Sequence, residues 1–413
     1  MNQLTFFDPE PVDHPSKRLG SFVDEVEAFA GFGRTTKRQE VEGIPYLVNE
    51  FWTARQRQGH SIHEVSYRAC FKAQLPEFFI GRLTVPGEHV YDPFMGRGTT
   101  PVQAALMDRQ ALGNDINPLS VLLTRPRLSP IAVQDVAAAL RTVDWSRGEV
   151  QREDLLAFYH PDTLRDLEAL RLWLRERSPL EDPNPDPVAD WVRMVAINRL
   201  SGHSSGFFSG RSMPPNQAVS VAAQERINAK LGVTPPPRDV AKVILKKTRT
   251  LLSDGAPPRS VGHGLYTGLA WDTPHIASGS VALVVTSPPF LDIVQYAQDN
   301  WLRCWFAGID PAAVAIDMHR TEAAWEGMVR RVLVEQARIL RPSGHVAFEV
   351  GEVRGGKVLL ERLVWSAAEG LPFERLAVLV NDQEFTKTAN CWGVSNGSKG
   401  TNTNRIVVLR RRS

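Results

Sequence analysis

One segment constrains the fold of this chain more than any other. A short apolar stretch runs into DPFMGRGTT, which begins at Asp92, and a helical pattern follows from Thr99 to about Asp108. Pro101 fits this helix because the first helical turn has no amide partner to lose. A second short strand then leads into GNDINP and ends on an acid. A strand, a Gly-rich turn, a helix and another strand form a βαβ unit, so we expect a parallel sheet.

The later part of the chain continues this alternation. VALVV, at 281–285, is a continuous apolar run of the kind that a strand buried on both faces requires. A helix predicted for 322–340 precedes a further buried strand in GHVAFEVGE, and ERLAVLV and RIVVLRRR predict two more strands. We therefore predict an α/β fold with a doubly wound, mostly parallel, Rossmann-like sheet.

Changes of pattern divide the chain into regions. Residues 1–60 are polar with scattered Pro and Gly, and we expect an N-terminal arm with one short helix near 23–29. Residues 125–261 show helical periods, as in DTLRDLEALRLWLRER, and predict a mainly helical insertion. The α/β domain is then expected to comprise 61–124 and 262–413.

Composition excludes several classes of protein. The 413 residues contain no run approaching the roughly 18 apolar residues of a membrane span, and the first residues lack the features of a signal peptide. The three cysteines fall in neither a CxxC nor a CxxH spacing, which predicts no disulfide framework and no metal site. We expect a protein of the cytoplasm.

The charge distribution is more informative than the total charge. The formal net charge is only +2, but residues 385–413 carry six Lys or Arg and no acid, and residues 204–261 carry nine Lys or Arg and three acids. Local basic zones suit binding to a phosphate backbone. An ordinary solvated basic surface explains either zone alone about equally well.

The Gly-rich turn predicts a binding site. Gly96 and Gly98 lie between a strand and a helix N-terminus, where backbone amides can approach a ligand closely. Asp115 ends the next strand, where an acid can accept hydrogen bonds from ribose hydroxyls. The pattern is neither GxGxxG nor GxxxxGK[ST], which disfavours dinucleotides and triphosphates. A Gly turn followed by an ordinary capping acid is the alternative.

A second motif, TSPPF, follows the buried strand at 281–285. Two consecutive prolines stiffen the backbone and leave carbonyls free to accept from an amine. Ser287 adds a side-chain acceptor, and Phe290 adds a flat face for stacking. Together they predict a pocket for a planar base that carries an exocyclic amine.

Taken together, these motifs resemble those of the S-adenosylmethionine-dependent amino-methyltransferases of DNA, which methylate cytosine N4 or adenine N6. SYRACFKAQLPEFFI, DPFMGRGTT, GNDINP, TSPPF and RILRPSGHVAFEVGE carry the resemblance, which covers most of 61–413 outside the insertion. It implies S-adenosylmethionine as cofactor, and its implied contacts are Tyr67, Lys72, Asp92, Pro93, Phe94, Gly96, Gly98, Thr99, Thr100, Asp115 and Asn117. It implies Ser287, Pro288, Pro289 and Phe290 as the catalytic tetrapeptide.

Within this family, serine at the first catalytic position resembles the N4-cytosine branch. The resemblance implies a site-specific enzyme of double-stranded DNA that transfers the methyl group directly to a flipped base. No cysteine lies in a PC dipeptide suited to covalent attack on cytosine. Adenine-N6 methylation is the nearest alternative, and a DNA-binding protein that has kept the fold but lost catalysis is another. A paired restriction endonuclease and a monomer or homodimer are compatible with the resemblance.

The basic zones supply the predicted DNA contacts: Lys246, Lys247, Arg249, Lys387, Lys399 and Arg405. His203 and Trp271 are better explained as a loop histidine and a packed tryptophan. Asp272, in LYTGLAWD, departs from the position of the acid that contacts the cofactor's adenine in this family, so its role stays open.

Overall fold

A computed structural model describes most of the chain. The described residues are 21–53, 59–67, 70–212, 218–258, 262–291, 296–314, 319–354, 357–382 and 403–413. Their helices are α1 Phe22–Glu27, α2 Gln74–Leu83, α3 Thr99–Leu106, α4 Pro118–Leu128, α5 Val133–Leu140, α6 Pro161–Arg177, α7 Pro187–Ile197, α8 Val221–Leu231, α9 Val240–Leu251, α10 Tyr296–Ala307, α11 Glu322–Ile339 and α12 Leu360–Ala367. Within these described ranges, none of the helices is both long and apolar enough to cross a membrane.

The strands are β1 Lys37–Val41, β2 Ile44–Asn49, β3 His89–Asp92, β4 Gln110–Asp115, β5 His263–Thr267, β6 Val281–Thr286, β7 Leu340–Val350, β8 Glu352–Val353, β9 Val358–Leu359, β10 Phe373–Asp382 and β11 Thr403–Arg411. In the described part of the chain, nine of them form one sheet in the order β1-β2-β10-β11-β7-β6-β3-β4-β5. β8 and β9 pair separately.

The sheet is mostly parallel, which confirms the predicted α/β class. β3 pairs in parallel with both β4 and β6, and β6 pairs in parallel with β7. β11 runs antiparallel to both of its neighbours, β7 and β10. The chain proceeds from β3 to one side of the sheet and later from β6 to the other, so the β3/β6 boundary is a topological switch point. Ligands of open α/β sheets bind in the crevice at such points.

Part of the region expected to form an N-terminal arm belongs to the main sheet. β1 and β2 form a hairpin, and β2 pairs in parallel with β10. Four of the six residues of IPYLVN are buried, and its run of apolar and aromatic residues was the available signal for a strand. Within SYRACFKAQLPEFFI, the helix α2 begins at Gln74.

The helical segment does not pack as a separate unit. Its core contains Leu302 and Phe306 of α10, the helix that follows TSPPF, together with Tyr67, which precedes the Gly-rich turn. α4 crosses the predicted boundary at 124/125 without a break. Helices from both regions therefore share one core beside the switch point.

Candidate active site

A buried hydrogen bond joins the two motifs. Asp92 ends β3 and Thr286 ends the neighbouring β6, and the Thr286 hydroxyl donates to Asp92 Oδ1 at 2.6 Å. From the first turn of α3, the Thr100 hydroxyl donates to the Val285 carbonyl at 3.0 Å. Both bonds are buried, so the start of DPFMGRGTT and the start of TSPPF are held against each other at the switch point.

The Gly-rich turn is held by Asp115. Gly96 and Gly98 both have positive φ, +50° and +75°, which a side chain would disfavour. The Gly96 amide donates to Asp115 Oδ2 at 2.8 Å, and the Asn117 amide donates to Asp115 Oδ1 at 2.9 Å. Asp115 therefore orders the turn directly, a role that the sequence did not reveal. Each carboxylate oxygen has a second lone pair, so the acid can still accept from a ribose hydroxyl.

The other predicted cofactor residues surround this turn. Asp92, Pro93, Thr99, Thr100 and Asn117 are buried, and Asn117 caps α4 through its side chain. Phe94 and Lys72 are partly buried. A Cβ at Gly96 would lie 3.6 Å from the Tyr67 ring, so the ring stands beside the turn. Short residues, backbone amides at a helix N-terminus and a buried acid fit the S-adenosylmethionine that the resemblance implies.

Positive charge lies behind the turn. The wholly buried Arg127 donates to the carbonyls of Ile62, Leu123 and Arg97, and Arg97 donates to those of Val65 and Phe71. Burial and the nearby Arg97 charge lower the pKa of Arg127 to about 9. Carbonyls do not neutralise these cations, so the potential here favours an anionic group of a ligand. No sequence motif indicated that Arg127 would lie beside this turn.

Burial also affects Asp92. It raises the pKa of Asp92 to about 7, although the hydrogen bond from Thr286 and the one from the Phe94 amide oppose the shift. The protein thus keeps an acid at the switch point that is close to half protonated near neutral pH.

The tetrapeptide Ser287–Phe290, predicted to be catalytic, begins directly after Thr286. The Trp325 indole N–H donates to the Pro289 carbonyl at 2.9 Å, and Trp325 is almost completely buried at the start of α11. Among the described residues, no backbone group donates to the Pro288 carbonyl. Phe290 is partly buried against the core of the sheet. Trp325 was missed because it lies 36 residues away in sequence.

A second acid was also missed. Glu349 lies near the end of β7, where its Oε1 accepts a hydrogen bond from the Asn404 side-chain amide at 2.9 Å. The Ser287 side chain lies close enough to lower the pKa of this carboxyl group, against the rise that burial causes. The exposed fraction of Glu349 is only 6%. In the sequence FEVGE, an acid lies near the end of a predicted buried strand, and this position could have indicated Glu349.

The predicted DNA contacts separate into three groups. Lys246 and Arg249 are exposed on α9. Lys247 is buried and its Nζ pairs with Glu64 at 3.0 Å, while the partly buried Arg405 pairs with the fully buried Glu361 at 2.7 Å. Both side chains are thus engaged inside the protein, and their predicted contact with DNA stays a prediction. Lys387 and Lys399 lie outside the described residues.

The remaining candidate residues have structural partners. The Arg331 guanidinium lies 4.2 Å from the centroid of the Trp271 ring, and the His203 ring neighbours Phe207. The charge of Asp272 acts on His275 and on Arg338, at the C-terminal end of α11. Nothing in these contacts gives Asp272 a role at the Gly-rich turn.

Sequence comparison agrees with this geometry. The sequence model of the DNA methylase family matches residues 28–123, which include β3, the Gly-rich turn and Asp115. These residues are similar in sequence to the DNA methylase family. The match confirms the resemblance to DNA amino-methyltransferases and supports S-adenosylmethionine as the cofactor of the turn. It does not separate the N4 and N6 branches.

Individual relatives match over short stretches. The chain is 36% identical over 86 residues to the type II methyltransferase M.MjaII of Methanocaldococcus jannaschii, covering 21% of this chain and 16% of that protein. It is 30% identical over 87 residues to the type II methyltransferase M.MvaI of Kocuria varians, covering 21% and 19%. The match thus spans less than a fifth of each relative. Among solved structures, the rRNA methyltransferase aviRa of Streptomyces viridochromogenes is 12% identical over 85% of this chain and 90% of its own, with a TM-score of only 0.32.

The Gly-rich turn yields a stability prediction. A Cβ at Gly98 would lie 2.2 Å from Thr124 Oγ1, whose hydroxyl is fixed by the Ser120 carbonyl, whereas a Cβ at Gly96 meets only ordinary contacts. Both Gly→Ala variants incur positive-φ strain, but Gly98→Ala should lose about 1 to 3 kcal/mol more in unfolding free energy, because it is overpacked. Urea unfolding measures the difference. Thr124→Ala should partly rescue Gly98→Ala, and equal losses for the two glycines would contradict the packing argument.

Asp92 yields a pH prediction. Its folded pKa of about 7 exceeds the usual 3.8, so between about pH 4 and 7 the folded state binds more protons than the unfolded state. This group therefore makes the unfolding free energy fall as pH rises through that window, by at most about 1.4 kcal/mol per pH unit, and has no further effect above it. Asp92→Asn should remove this contribution. Parallel wild-type and variant curves from pH 4 to 8 would refute the shift.

Proposed function

We propose that this chain is a DNA methyltransferase that transfers the methyl group of S-adenosylmethionine to the N4 amine of cytosine in double-stranded DNA. The observation that carries the proposal is the buried Thr286–Asp92 hydrogen bond. It holds a turn suited to S-adenosylmethionine beside a tetrapeptide suited to an exocyclic amine. A methyl donor and an amine acceptor can then be held in contact, which is the main requirement for direct transfer.

Ser287 and Pro288 would make the target amine a better nucleophile. The lone pair of the N4 nitrogen is delocalised into the ring, so the amine is a poor nucleophile. One N–H of the amine would donate to the Ser287 hydroxyl oxygen and the other to the Pro288 carbonyl. These two hydrogen bonds would favour a more tetrahedral nitrogen and orient its lone pair. S-adenosylmethionine, when bound, supplies the electrophilic methyl group. The Trp325–Pro289 hydrogen bond keeps the adjacent backbone in place.

Phe290 would hold the base itself. A target base inside a duplex must be extruded before it can reach this edge of the sheet, at a cost of a few kcal/mol. The partly exposed Phe290 ring, supported from behind by the core of the sheet, offers a flat face on which the base can stack. Stacking of this kind is worth about 1 to 3 kcal/mol per base.

The exposed face of α9 is the proposed phosphate contact. Lys242, Lys246 and Arg249 are exposed and follow the i, i+4, i+7 spacing of one helix face, while Lys247 points inward to Glu64. α9 also contacts the segment at 61–63 that precedes the Gly-rich turn, through Ser61 and Leu251. A duplex bound to this face would therefore lie beside the proposed active site.

Ser287→Ala tests the chemistry. The variant should transfer methyl groups at least about tenfold more slowly in a single turnover while keeping its affinity for S-adenosylmethionine, because the lost interaction strengthens only as the nitrogen becomes tetrahedral. Nucleoside analysis of DNA treated with the wild-type protein should find N4-methylcytosine. Finding N6-methyladenine instead would move the protein to the adenine branch. Cofactor binding without any methylated base would favour a DNA-binding protein that lacks catalysis.

Salt dependence tests the DNA contact. The double variant Lys246→Gln/Arg249→Gln should reduce the slope of log affinity against log salt by about 1.8, since each lost phosphate contact contributes about 0.9. Arg147→Gln is the matched control, because Arg147 is an equally exposed cation that is already paired with Glu176. Fluorescence anisotropy with a labelled duplex from 50 to 200 mM salt gives the slope. If the double variant retains the wild-type slope, α9 does not contact phosphates.

A further inference from the structure

Glu349 occupies an unusual place for a buried acid. β7 lies next to β6, and Phe348 is in register with Thr286, so Glu349 stands level with Ser287 at the carboxyl edge of the sheet. On the other side of β7, Glu349 is in register with Ile406 of β11. From the same strand, the Asn404 side-chain amide donates to Glu349 Oε1 at 2.9 Å. Three strands thus converge on this carboxyl group.

The carboxyl group lacks the compensation that buried acids normally have. In the described part of the chain, no Lys, Arg or His forms an ion pair with Glu349, and burial raises its pKa while the Ser287 and Asn404 side chains oppose the rise. The fully buried Glu361 provides the contrast, since it is paired with Arg405. A buried carboxyl group without a cation is costly, and such groups concentrate at sites where protons are handled.

We propose that Glu349 is a positioning residue for methyl transfer that acts through Ser287. Its carboxylate accepts the Ser287 hydroxyl proton, which leaves the lone pairs of that oxygen facing the target amine. This inference rests on the proposed function, and it adds a residue and a proton route to it.

Methyl transfer is followed by the loss of one proton from the amine. The amine nitrogen uses its lone pair to form the N–C bond as the C–S bond breaks, and the electrons of that bond stay on sulfur. The nitrogen then loses one proton to the Ser287 oxygen while the Ser287 proton passes to Glu349. Ser287 is regenerated, and the neutral Glu349 releases its proton to water before the next turnover. The only co-reactant is S-adenosylmethionine.

A merely structural role makes a different prediction. If Glu349 only fixes β11 through Asn404, its replacement should affect stability and methyl transfer to the same extent whether or not Ser287 is present. If Glu349 acts through Ser287, its replacement should have no kinetic effect once that hydroxyl is gone. A double-mutant cycle separates the two.

The experiment compares four full-length proteins: wild type, Ser287→Ala, Glu349→Gln and the double variant. Single-turnover methyl transfer is measured with saturating duplex DNA and S-adenosylmethionine, and cofactor affinity is measured by calorimetry. Glu349→Gln should lower the rate by about 10²-fold, at the low end of the range for proton-transfer groups, and by no more than Ser287→Ala does, with cofactor affinity within about twofold of wild type. It should cause no further loss in the Ser287→Ala background. A wild-type rate for Glu349→Gln, or the same fold loss in both backgrounds, would overturn the inference.

Two further variants control for the loss of a buried carboxylate and for a failure of Glu349→Gln to fold. Glu361→Gln removes another buried carboxylate, one that is paired with Arg405, and its folded fraction should keep the wild-type rate. If Glu349→Gln does not fold, Asn404→Ser removes the donor that fixes Glu349 and should lower the rate without changing cofactor affinity. An unchanged rate for Asn404→Ser would then count against the inference.

The failure of the proposed function is recognised separately. A wild-type protein that methylates neither cytosine nor adenine overturns the function, and with it the kinetic role of Glu349. A wild-type protein that methylates DNA but shows an additive cycle keeps the function and loses the inference. The denaturant midpoints of the same four proteins report whether Ser287 and Glu349 interact at all, independently of any substrate.

Discussion

The hydrogen bond between Thr286 and Asp92 is the contact on which the arrangement of the site depends. It links the carboxyl ends of two neighbouring parallel strands at the point where the winding of the sheet reverses. Because both side chains are buried, neither can find water as a substitute partner, and separation of the strands would leave two unsatisfied polar groups. The Gly-rich turn and the tetrapeptide leave the sheet from these two residues, so their relative position is set before any ligand binds.

The carboxyl edge of the sheet is rich in acids that form no ion pair with any cation of the described residues. Burial raises the pKa of Asp92, Asp115 and Glu349, and each is held by hydroxyl, amide or backbone N–H donors. Hydrogen bonds of this kind fix the direction of a carboxylate, but they do not repay its full desolvation. This arrangement lowers the folding stability but fixes polar groups in place before a ligand binds, which is typical of functional sites rather than of structural cores.

The helical segment contributes to the same site from outside the sheet. Tyr67, which lies beside the Gly-rich turn, and α10, which follows the tetrapeptide, pack into one core with helices of the 125–261 region. Arg303 of α10 donates to the Ser66 carbonyl at 2.9 Å and lies over the Tyr67 ring. On the other side of the tetrapeptide, Trp325 holds the Pro289 carbonyl. The segments around both motifs are thus braced by helices on either side of the switch point.

The sequence by itself determined the α/β class, six of the strands (β3, β4, β6, β7, β10 and β11) and the two motifs, because these depend on local features: apolar runs of strand length, glycines at a turn and prolines after a strand. The same local patterns could not show that β1 and β2 join the sheet, since strand pairing across more than 300 residues is not encoded in either strand alone. From these patterns Lys247 and Arg405 were expected at the surface, because the sequence shows the charge of a side chain but not its direction. Only the tertiary structure brought Trp325 to Pro289 and Glu349 to Ser287. Parallel neighbours in a sheet are distant in sequence, and the groups that meet at their ends are decided by register and packing rather than by any motif.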